Sequence, residues 1–263
     1  MSTIVIPRVR PMRLDPDHLR RVGDRLRVDG ELIESEEAIA IIDGHRTVVH
    51  GQPSNRMGGL TTAIDTSRGI APPVDGEREL LDPDKAAGII AELLDDAGLG
   101  TRRTRSDLAL ETRIDSRITE GVHFDGKERR PVKVKTDVRA RVTLDGLPVS
   151  GPRAGASATF TDDERPLRLL AASWDAVVAY EEVTLIERDE AIATLLEAHA
   201  TRPERNGASR AEAAVLSATL AYWAGEYCGG ADVLTPSWFV EVAQPNGKDE
   251  VAPRQLVRLP AVG

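Results

Sequence analysis

The chain has 263 residues, of which 41% are hydrophobic and 29% are charged, and its formal net charge at pH 7 is −9. This composition is typical of a globular protein and excludes both a disordered chain and a basic nucleic-acid-binding domain. The single cysteine, Cys228, excludes a disulfide within the chain and a zinc site built on thiolates. Because only 3% of the residues are aromatic, we expect a core of Val, Leu, Ile and Ala.

The apolar start of the chain, Met1 to Pro7, comes before its first arginines. A secretory signal has the opposite order, with positive charge ahead of a longer apolar run. No apolar run in the sequence reaches the roughly 18–20 residues that span a bilayer. The sequence therefore predicts a cytoplasmic protein with neither a membrane nor a nucleic acid as its partner.

Three segments open in the same way, and each predicts the start of a helix: Leu14-Asp-Pro-Asp17, Leu81-Asp-Pro-Asp84 and Ile186-Glu-Arg-Asp189. An aspartate can accept hydrogen bonds from the free amides of the first turn, and a following proline lacks the amide that would stay unpaired. A further acidic residue lies at the positive end of the helix dipole. Gly23 weakens the prediction of the first helix, because glycine disfavours a helix interior.

The first helix is followed by strand patterns. Residues 38–42 and 47–49 flank Asp43-Gly44, a pair that favours a tight hairpin turn, and Leu60 to Ile64 forms a third strand pattern. We read residues 1–80 as a first unit made of a helix and a sheet.

The second helix precedes a longer set of strands. Residues 107–118 alternate, and residues 132–144 alternate more clearly up to the turn at Asp145-Gly146. Two shorter strands follow at 156–160 and 167–172. We read residues 81–185 as the second unit.

One face of the 132–144 strand is basic and carries Lys133, Lys135, Arg139 and Arg141. It could dock an acidic partner or an anionic ligand. It could equally be a solvated face, because exposed strands of antiparallel sheets are commonly charged.

The third unit, residues 186–263, is less regular. Residues 209–222 have a helix-favouring composition, yet Val215, Ser217 and Thr219 alternate as in a strand, and the sequence leaves both structures open. Residues 238–242 and 255–259 read as strands on either side of a Pro-Asn-Gly turn.

A known pattern begins at Asp145-Gly-Leu-Pro-Val-Ser-Gly-Pro152. It resembles the hairpin of PepSY domains, of the propeptides of thermolysin- and fungalysin-type proteases, and of YycI-like accessory proteins. The likeness extends over about residues 130–242, through the helix start Glu187-Arg-Asp-Glu-Ala191 and the paired Leu220-Ala-Tyr-Trp223 and Leu234-Thr-Pro-Ser-Trp-Phe239. The resemblance implies an α+β fold of repeated cystatin-like units, with helices packed on curved antiparallel sheets, and it brings no catalytic residues.

Motif searches point away from common cofactor chemistry. The chain has no phosphate-binding loop, no G-x-S-x-G turn and no H-E-x-x-H. His45 and His50 straddle the first hairpin, and a spacing of five places them on opposite faces of one continuous strand, so a shared metal would need a bulge or turn between them. We interpret both as solvated hairpin residues. We therefore predict no cofactor and no metal.

Five of the nine aromatic residues lie within eighteen positions: Tyr222, Trp223, Tyr227, Trp238 and Phe239. Such a cluster predicts either the main core or the wall of an apolar pocket. As a pocket, it makes Tyr222, Trp223, Trp238 and Phe239 candidate ligand-binding residues.

Two functions fit these patterns. The first is a non-catalytic binding or regulatory protein that holds a protein, a peptide or a small apolar ligand on a curved sheet. The second is a cofactor-independent biosynthetic enzyme of the cyclase or isomerase type, with Glu226 or Tyr227 as its acid–base group. The oligomeric state is left open by the sequence.

Overall fold

The structure is a computed structural model that describes residues 2–12, 16–36, 38–51, 59–68, 79–96, 98–100, 104–126, 128–152, 154–172, 174–201, 214–225, 233–243 and 254–262. These residues form an α+β fold with three helices: α1 Pro16–Leu26, α2 Pro83–Asp96 and α3 Arg188–Thr201. They also form fifteen strands: β1 Thr3–Pro11, β2 Glu31–Glu34, β3 Ala38–Asp43, β4 Arg46–Gly51, β5 Leu60–Asp65, β6 Arg105–Ser106, β7 Leu110–Asp125, β8 Glu128–Leu144, β9 Leu147–Ser150, β10 Ala156–Phe160, β11 Arg168–Ala172, β12 Trp174–Thr184, β13 Ala214–Trp223, β14 Thr235–Ala243 and β15 Arg254–Pro260.

Twelve strands form one sheet. Eleven of them follow the order β15-β14-β13-β9-β8-β10-β11-β5-β4-β3-β2, and the twelfth, β7, pairs with β8. The neighbours in this sheet are antiparallel except β9 and β13, which run parallel over a short stretch. The other three strands form a second sheet in the order β1-β12-β6. The helix-plus-strands units predicted from the sequence thus contribute to one shared sheet, because β5 pairs with β11 across residue 80.

Helices and the second sheet cover one face of the large sheet, which we call the inner face. Helices α1 and α2 share a core with β3, β4, β8, β10 and β11, and its buried side chains include Leu19, Val22, Ile90, Leu93, Ile41, Val48, Val138, Phe160 and Leu169. Val9 and Val177 of the second sheet pack against Leu144 and Val149. Helix α3 places Leu195 against Val240 and Val242 of β14. The opposite, outer face of the large sheet has no helix on it in the described part of the chain.

The start of α2 follows the predicted capping. Asp82 Oδ1 accepts hydrogen bonds from the backbone amides of Asp84 and Lys85, both at 3.0 Å, and Pro83 is the first helical residue. Helices α1 and α3 likewise begin at Pro16 and Arg188, where the sequence predicted them. Leu14 and Asp15 lie outside the described residues.

Gly23 has a packing role in α1. A Cβ at this position would lie 2.9 Å from Ile41 Cδ1 and 3.1 Å from the Val28 carbonyl oxygen. The missing side chain therefore lets α1 lie close to β3, and the glycine that weakened the helix prediction contributes to helix–sheet contact.

The end of α1 carries a residue in the left-handed conformation that glycine usually adopts there. Arg27 has φ +54°, its amide donates to the Asp24 carbonyl at 3.0 Å, and the Val28 amide donates to the Gly23 carbonyl at 2.8 Å. These are the two hydrogen bonds of a Schellman motif. A non-glycine residue with this φ destabilises the folded state by about 1–2 kcal/mol. Glycine would avoid this strain, but its greater conformational freedom also stabilises the unfolded chain and offsets part of the gain.

We expect Arg27→Gly to raise the free energy of unfolding by about 0.5–1 kcal/mol, because it relieves the left-handed strain. Urea denaturation of the wild type and the variant measures the difference. Arg27→Ala is the matched control, since it removes the same side chain and keeps the strain. A gain of equal size in both variants would assign the effect to the side chain instead.

Several elements differ from the sequence-based prediction. Residues 209–222, left open between helix and strand, form β13 over Ala214–Trp223, and residues 209–213 lie outside the described part. The N-terminal strand β1 and its antiparallel partner β12 were missed, as was the short β2. Because β1 and β12 are separated by more than 160 residues in the sequence, local periodicity gives no sign that they pair.

None of the three helices in the described part of the chain combines the length and the apolar character of a membrane-spanning helix.

Candidate functional site

A large groove opens on the outer face where two strands diverge from β8. Strand β8 pairs with β10 up to Ala140 and with β9 from Thr143 onwards. Arg141 and Val142 therefore lie between the two neighbouring strands. The cavity there has a volume of about 950 Å³ and is lined by Arg113, Asp115, residues 139–143, 148–152 and 154–157, and Leu170.

The alternation of β8 explains which side chains reach the groove. Val138, Ala140 and Val142 are buried in the inner core, so Arg139 and Arg141 point to the outer face. The sequence-based assignment of the two faces of this strand is therefore confirmed. Strand β7 adds Arg113 and Asp115, which lie opposite Arg141 and Arg139.

One carboxylate and three guanidinium groups meet in this groove. Asp115 Oδ1 accepts from Arg113 Nε at 3.1 Å, and Asp115 Oδ2 lies 3.3 Å from Arg141 Nε. Arg139 faces Asp115 in register, yet both carboxylate oxygens are directed to the other two arginines. Among the described residues, no carboxylate forms an ion pair with Arg139.

The next carboxylate along the outer face of β8, Asp137, is occupied by other partners. It accepts hydrogen bonds from Thr119 Oγ1 at 2.6 Å and Thr159 Oγ1 at 2.9 Å, and Lys135 Nζ lies 3.0 Å away. Partial burial disfavours the charged form, but these three groups outweigh it and lower the pKa of the Asp137 carboxyl below its usual value. Asp137 is thus ionised and held by these three partners, none of which is a groove arginine.

Two glycines shape the walls of the groove. A Cβ on Gly155 would lie 1.9 Å from the Ala140 carbonyl oxygen, and a Cβ on Gly151 would lie 2.3 Å from the Ala224 carbonyl oxygen. Both residues also have positive φ, +65° and +121° respectively. The backbone of each wall therefore packs directly on neighbouring backbone, which only glycine permits.

The structure divides the four candidate aromatic residues between the two faces of the sheet. Trp238 lies opposite Leu220, and Phe239 lies opposite Thr219. Since neighbouring residues in a strand point to opposite faces, Tyr222 and Trp238 share the inner face, whereas Trp223 and Phe239 share the outer face. A single ligand-binding wall made of all four side chains is therefore ruled out by the alternation of β13 and β14.

The two inner aromatics belong to the core. Tyr222 is 2% exposed, and its hydroxyl donates to the Val5 carbonyl at 2.8 Å. Burial, with a smaller effect from the Asp145 charge, raises the pKa of Tyr222 to about 12. Trp238 Nε1 donates to the Ile186 carbonyl at 2.9 Å, which fixes β14 to the start of α3.

The two outer aromatics lie beside the groove. The rings of Trp223 and Phe239 have centroids 5.9 Å apart, and the Arg258 guanidinium lies 4.8 Å from the centroid of the Trp223 ring. The indole also reaches the groove wall, because Trp223 Cε3 would be 3.1 Å from a Cβ on Gly151. These two residues therefore extend the outer face from the groove towards β15.

Other predicted site residues do not add to this site. Glu226 and Tyr227, the acid–base candidates, lie outside the described residues, and so does Cys228. His45 is exposed in the first hairpin, whereas His50 is fully buried, so the interpretation of both as solvated residues was wrong for His50. In the described ranges no three His, Cys, Asp or Glu side chains are grouped as metal ligands would be.

A smaller hollow of about 320 Å³ lies between α1, α2 and the loop that follows β10. Its described lining balances three arginines against three carboxylates, and several of these groups form ion pairs. Lys85 Nζ lies 2.6 Å from Glu164 Oε1, Arg165 binds Asp163 at 2.7 Å, and Arg25 pairs with Asp96. The groove differs because its positive charge exceeds its negative charge.

Sequence reasoning found part of the groove. It placed Arg139 and Arg141 on an exposed basic face, but it did not connect them with Arg113 and Asp115 or with the backbone walls. The alternation of residues 107–118 contained the signal for β7, whereas the divergence of β9 and β10 from β8 depends on pairings that no local pattern specifies.

Comparison with protein families and with curated proteins finds no match to this chain. Among solved structures, the chain is similar to an uncharacterized protein from Eubacterium rectale ATCC 33656, with a TM-score of 0.54 at 8% sequence identity. The match covers 97% of this chain and 83% of that one. At this level of identity the similarity concerns the fold alone.

Proposed function

We propose that this chain is a non-catalytic binding protein that holds a protein or peptide segment in the groove on the outer face of its large sheet. The observation that carries the proposal is the groove itself, with a volume of about 950 Å³ and walls built from strands and from the connection between β9 and β10. That volume is at the upper end of the roughly 300–1,000 Å³ found for pockets that bind drug-sized ligands. An open groove of this size suits an extended segment of polypeptide.

The chemistry of the lining also supports binding over catalysis. The lining supplies guanidinium groups, hydroxyl groups and backbone, together with the one carboxylate that two arginines already hold. Among the described lining residues there is no histidine, cysteine, lysine or tyrosine, the side chains that most often exchange a proton or act as a nucleophile near neutral pH. The described lining thus supplies groups suited to recognition.

We also propose that the three helix-plus-strands units predicted from the sequence are the repeating units of this fold. Each helix is followed in the chain by strands of the shared sheet, and this order supports three cystatin-like units, at residues 1–80, 81–185 and 186–263, similar to those of PepSY and YycI-like proteins. That resemblance implies a protein that holds polypeptide and carries no catalytic residues. We place the protein in the cytoplasm, as the single cysteine allows.

A random-peptide display library screened on the immobilised protein tests the proposal. We expect enriched peptides, remade with a fluorescent label, to bind the wild type in solution and to raise the fluorescence anisotropy. Ser157→Trp should abolish this binding, because Ser157 is an exposed groove residue opposite Arg139 and the indole would fill the cavity.

Ile42→Trp provides the matched control. Ile42 is 43% exposed on β3, four strands from β10 in the sheet, so the same indole placed there leaves the groove open. Unchanged melting temperatures would establish that both variants fold. A library that enriches no peptide, or peptides that bind Ser157→Trp as well as the wild type, would refute the proposed function.

A further inference from the structure

The charge of the groove indicates what kind of segment it takes. In the described lining three guanidinium groups face one carboxylate, so this part of the groove has an excess of positive charge in a chain whose net charge is −9. Exposed positive charge of this kind attracts an acidic partner and repels a basic one.

The placement of the arginines leaves part of this charge without a carboxylate partner in the described part of the chain. Arg113 and Arg141 lie directly opposite each other on β7 and β8, and like charges in this position destabilise a sheet. Asp115 bridges these two and leaves Arg139 without a carboxylate partner in the described part of the chain. A bound anion would provide Arg139 with a charged partner.

The spacing of the arginines selects an extended ligand. Arg139 and Arg141 are two residues apart on one face of β8, so their Cα atoms are separated by about 7 Å. An extended peptide repeats its side-chain direction with the same period, so carboxylates on alternate residues meet successive guanidinium groups. A helical segment, by contrast, directs residues i and i+2 to different sides.

We propose that the groove is selective for an extended acidic segment with carboxylates at alternate positions, of the form Asp/Glu-x-Asp/Glu, bound by Arg139 and Arg141. This inference rests on the proposed function, whose peptide-binding groove it uses. The residues between the carboxylates point away from the arginines and are free to vary.

Fluorescence anisotropy with two labelled decapeptides tests this selectivity. Both contain three glutamates in a Gly/Ser background. One has them at alternate positions, and the other has them at every third position, so that no two are separated by a single residue. We expect the alternating peptide to bind the wild type about ten-fold more tightly, because only its carboxylates reach successive guanidinium groups. Its affinity should fall as salt is added, as for any ion pair in contact with solvent.

Arg139→Gln and Arg141→Gln should each weaken binding of the alternating peptide about five- to ten-fold, because each loses one charge-assisted pair. Both side chains are exposed, so neither variant should lose its fold. Arg168→Gln is the matched control, because Arg168 is an exposed arginine of β11 outside the groove lining, and it should bind like the wild type.

The outcomes separate this inference from the proposed function. If the library screen enriches neutral or basic peptides that Ser157→Trp excludes, the groove binds peptide but the acidic selectivity is wrong. Equal affinity for the two decapeptides, or equal weakening by Arg168→Gln, would also overturn the inference alone. Displacement of the alternating peptide by inorganic phosphate or oligo(dT) at the same concentration would show general anion binding and would likewise overturn it. Failure of both the library screen and the decapeptides would refute the two proposals together.

Discussion

Gly155→Ala should lower the free energy of unfolding by about 3–5 kcal/mol, because the methyl group has no room and the backbone conformation is strained. Gly155 has φ +65°, and a Cβ there would lie 1.9 Å from the carbonyl oxygen of Ala140. Its own carbonyl also accepts the Ala172 amide at 2.8 Å, so moving the segment away would break a contact between the groove wall and β11. Chemical denaturation of the purified variant measures the loss.

Gly126→Ala separates the two causes. Gly126 has nearly the same φ, +59°, but nothing lies within 4 Å of a Cβ at that position. It should therefore show only the cost of the left-handed conformation, about 1–2 kcal/mol. Equal losses in the two variants would mean that the close approach of Gly155 to β8 contributes nothing.

The features of the fold that could be predicted are those that neighbouring residues in the sequence specify. Asp82 and Pro83 specify a helix start by capping, and Asp145-Gly146 specifies a two-residue turn, with φ +48° and +79°. The alternation of β8 also assigned its buried and exposed sides. Each of these signals depends on residues within a few positions of one another.

The groove and the aromatic faces depended on information that local patterns lack. With residues 209–222 open between helix and strand, the consecutive Tyr222 and Trp223 could not be assigned to opposite faces. Strand β8 changes partner from β10 to β9 between Ala140 and Thr143, and this change creates the groove. Pairings between distant segments determine both the groove and the faces on which the aromatic residues lie. The pattern of a single sequence does not reveal which distant segments pair.

His50 shows how a buried partner can be missed. It was interpreted as solvated because it lies near a hairpin, but Val48, two residues earlier on β4, is fully buried, and alternation places His50 on the same inner face. Its Nε2 lies 3.2 Å from the Met12 carbonyl oxygen, and its Nδ1 lies 3.0 Å from Thr61 Oγ1. Because a carbonyl only accepts, Nε2 carries the hydrogen and Nδ1 accepts from the threonine hydroxyl.

We expect the stability of the protein to fall as pH decreases from 6.5 to 4, because burial lowers the pKa of His50 from 6.5 to about 4, partly offset by the hydrogen bond to Met12. Within this range the unfolded chain binds a proton that the folded chain does not. The contribution of His50 to the free energy of unfolding is therefore complete above the unfolded pKa and is lost as the pH falls towards the folded pKa. The full effect is about 3 kcal/mol, reached once the pH is below the folded pKa.

Urea denaturation at several pH values tests this with two histidine variants. His50→Gln keeps an amide that can hydrogen-bond to Met12 and Thr61 but does not titrate, so its stability should change little between pH 6.5 and 4. His45→Gln, at the exposed turn, should retain the wild-type slope. Carboxylates such as Asp137, whose pKa is lowered, lose their contribution mainly below pH 4, outside this range. An unchanged slope in His50→Gln would show that the buried imidazole does not control the acid sensitivity of the fold.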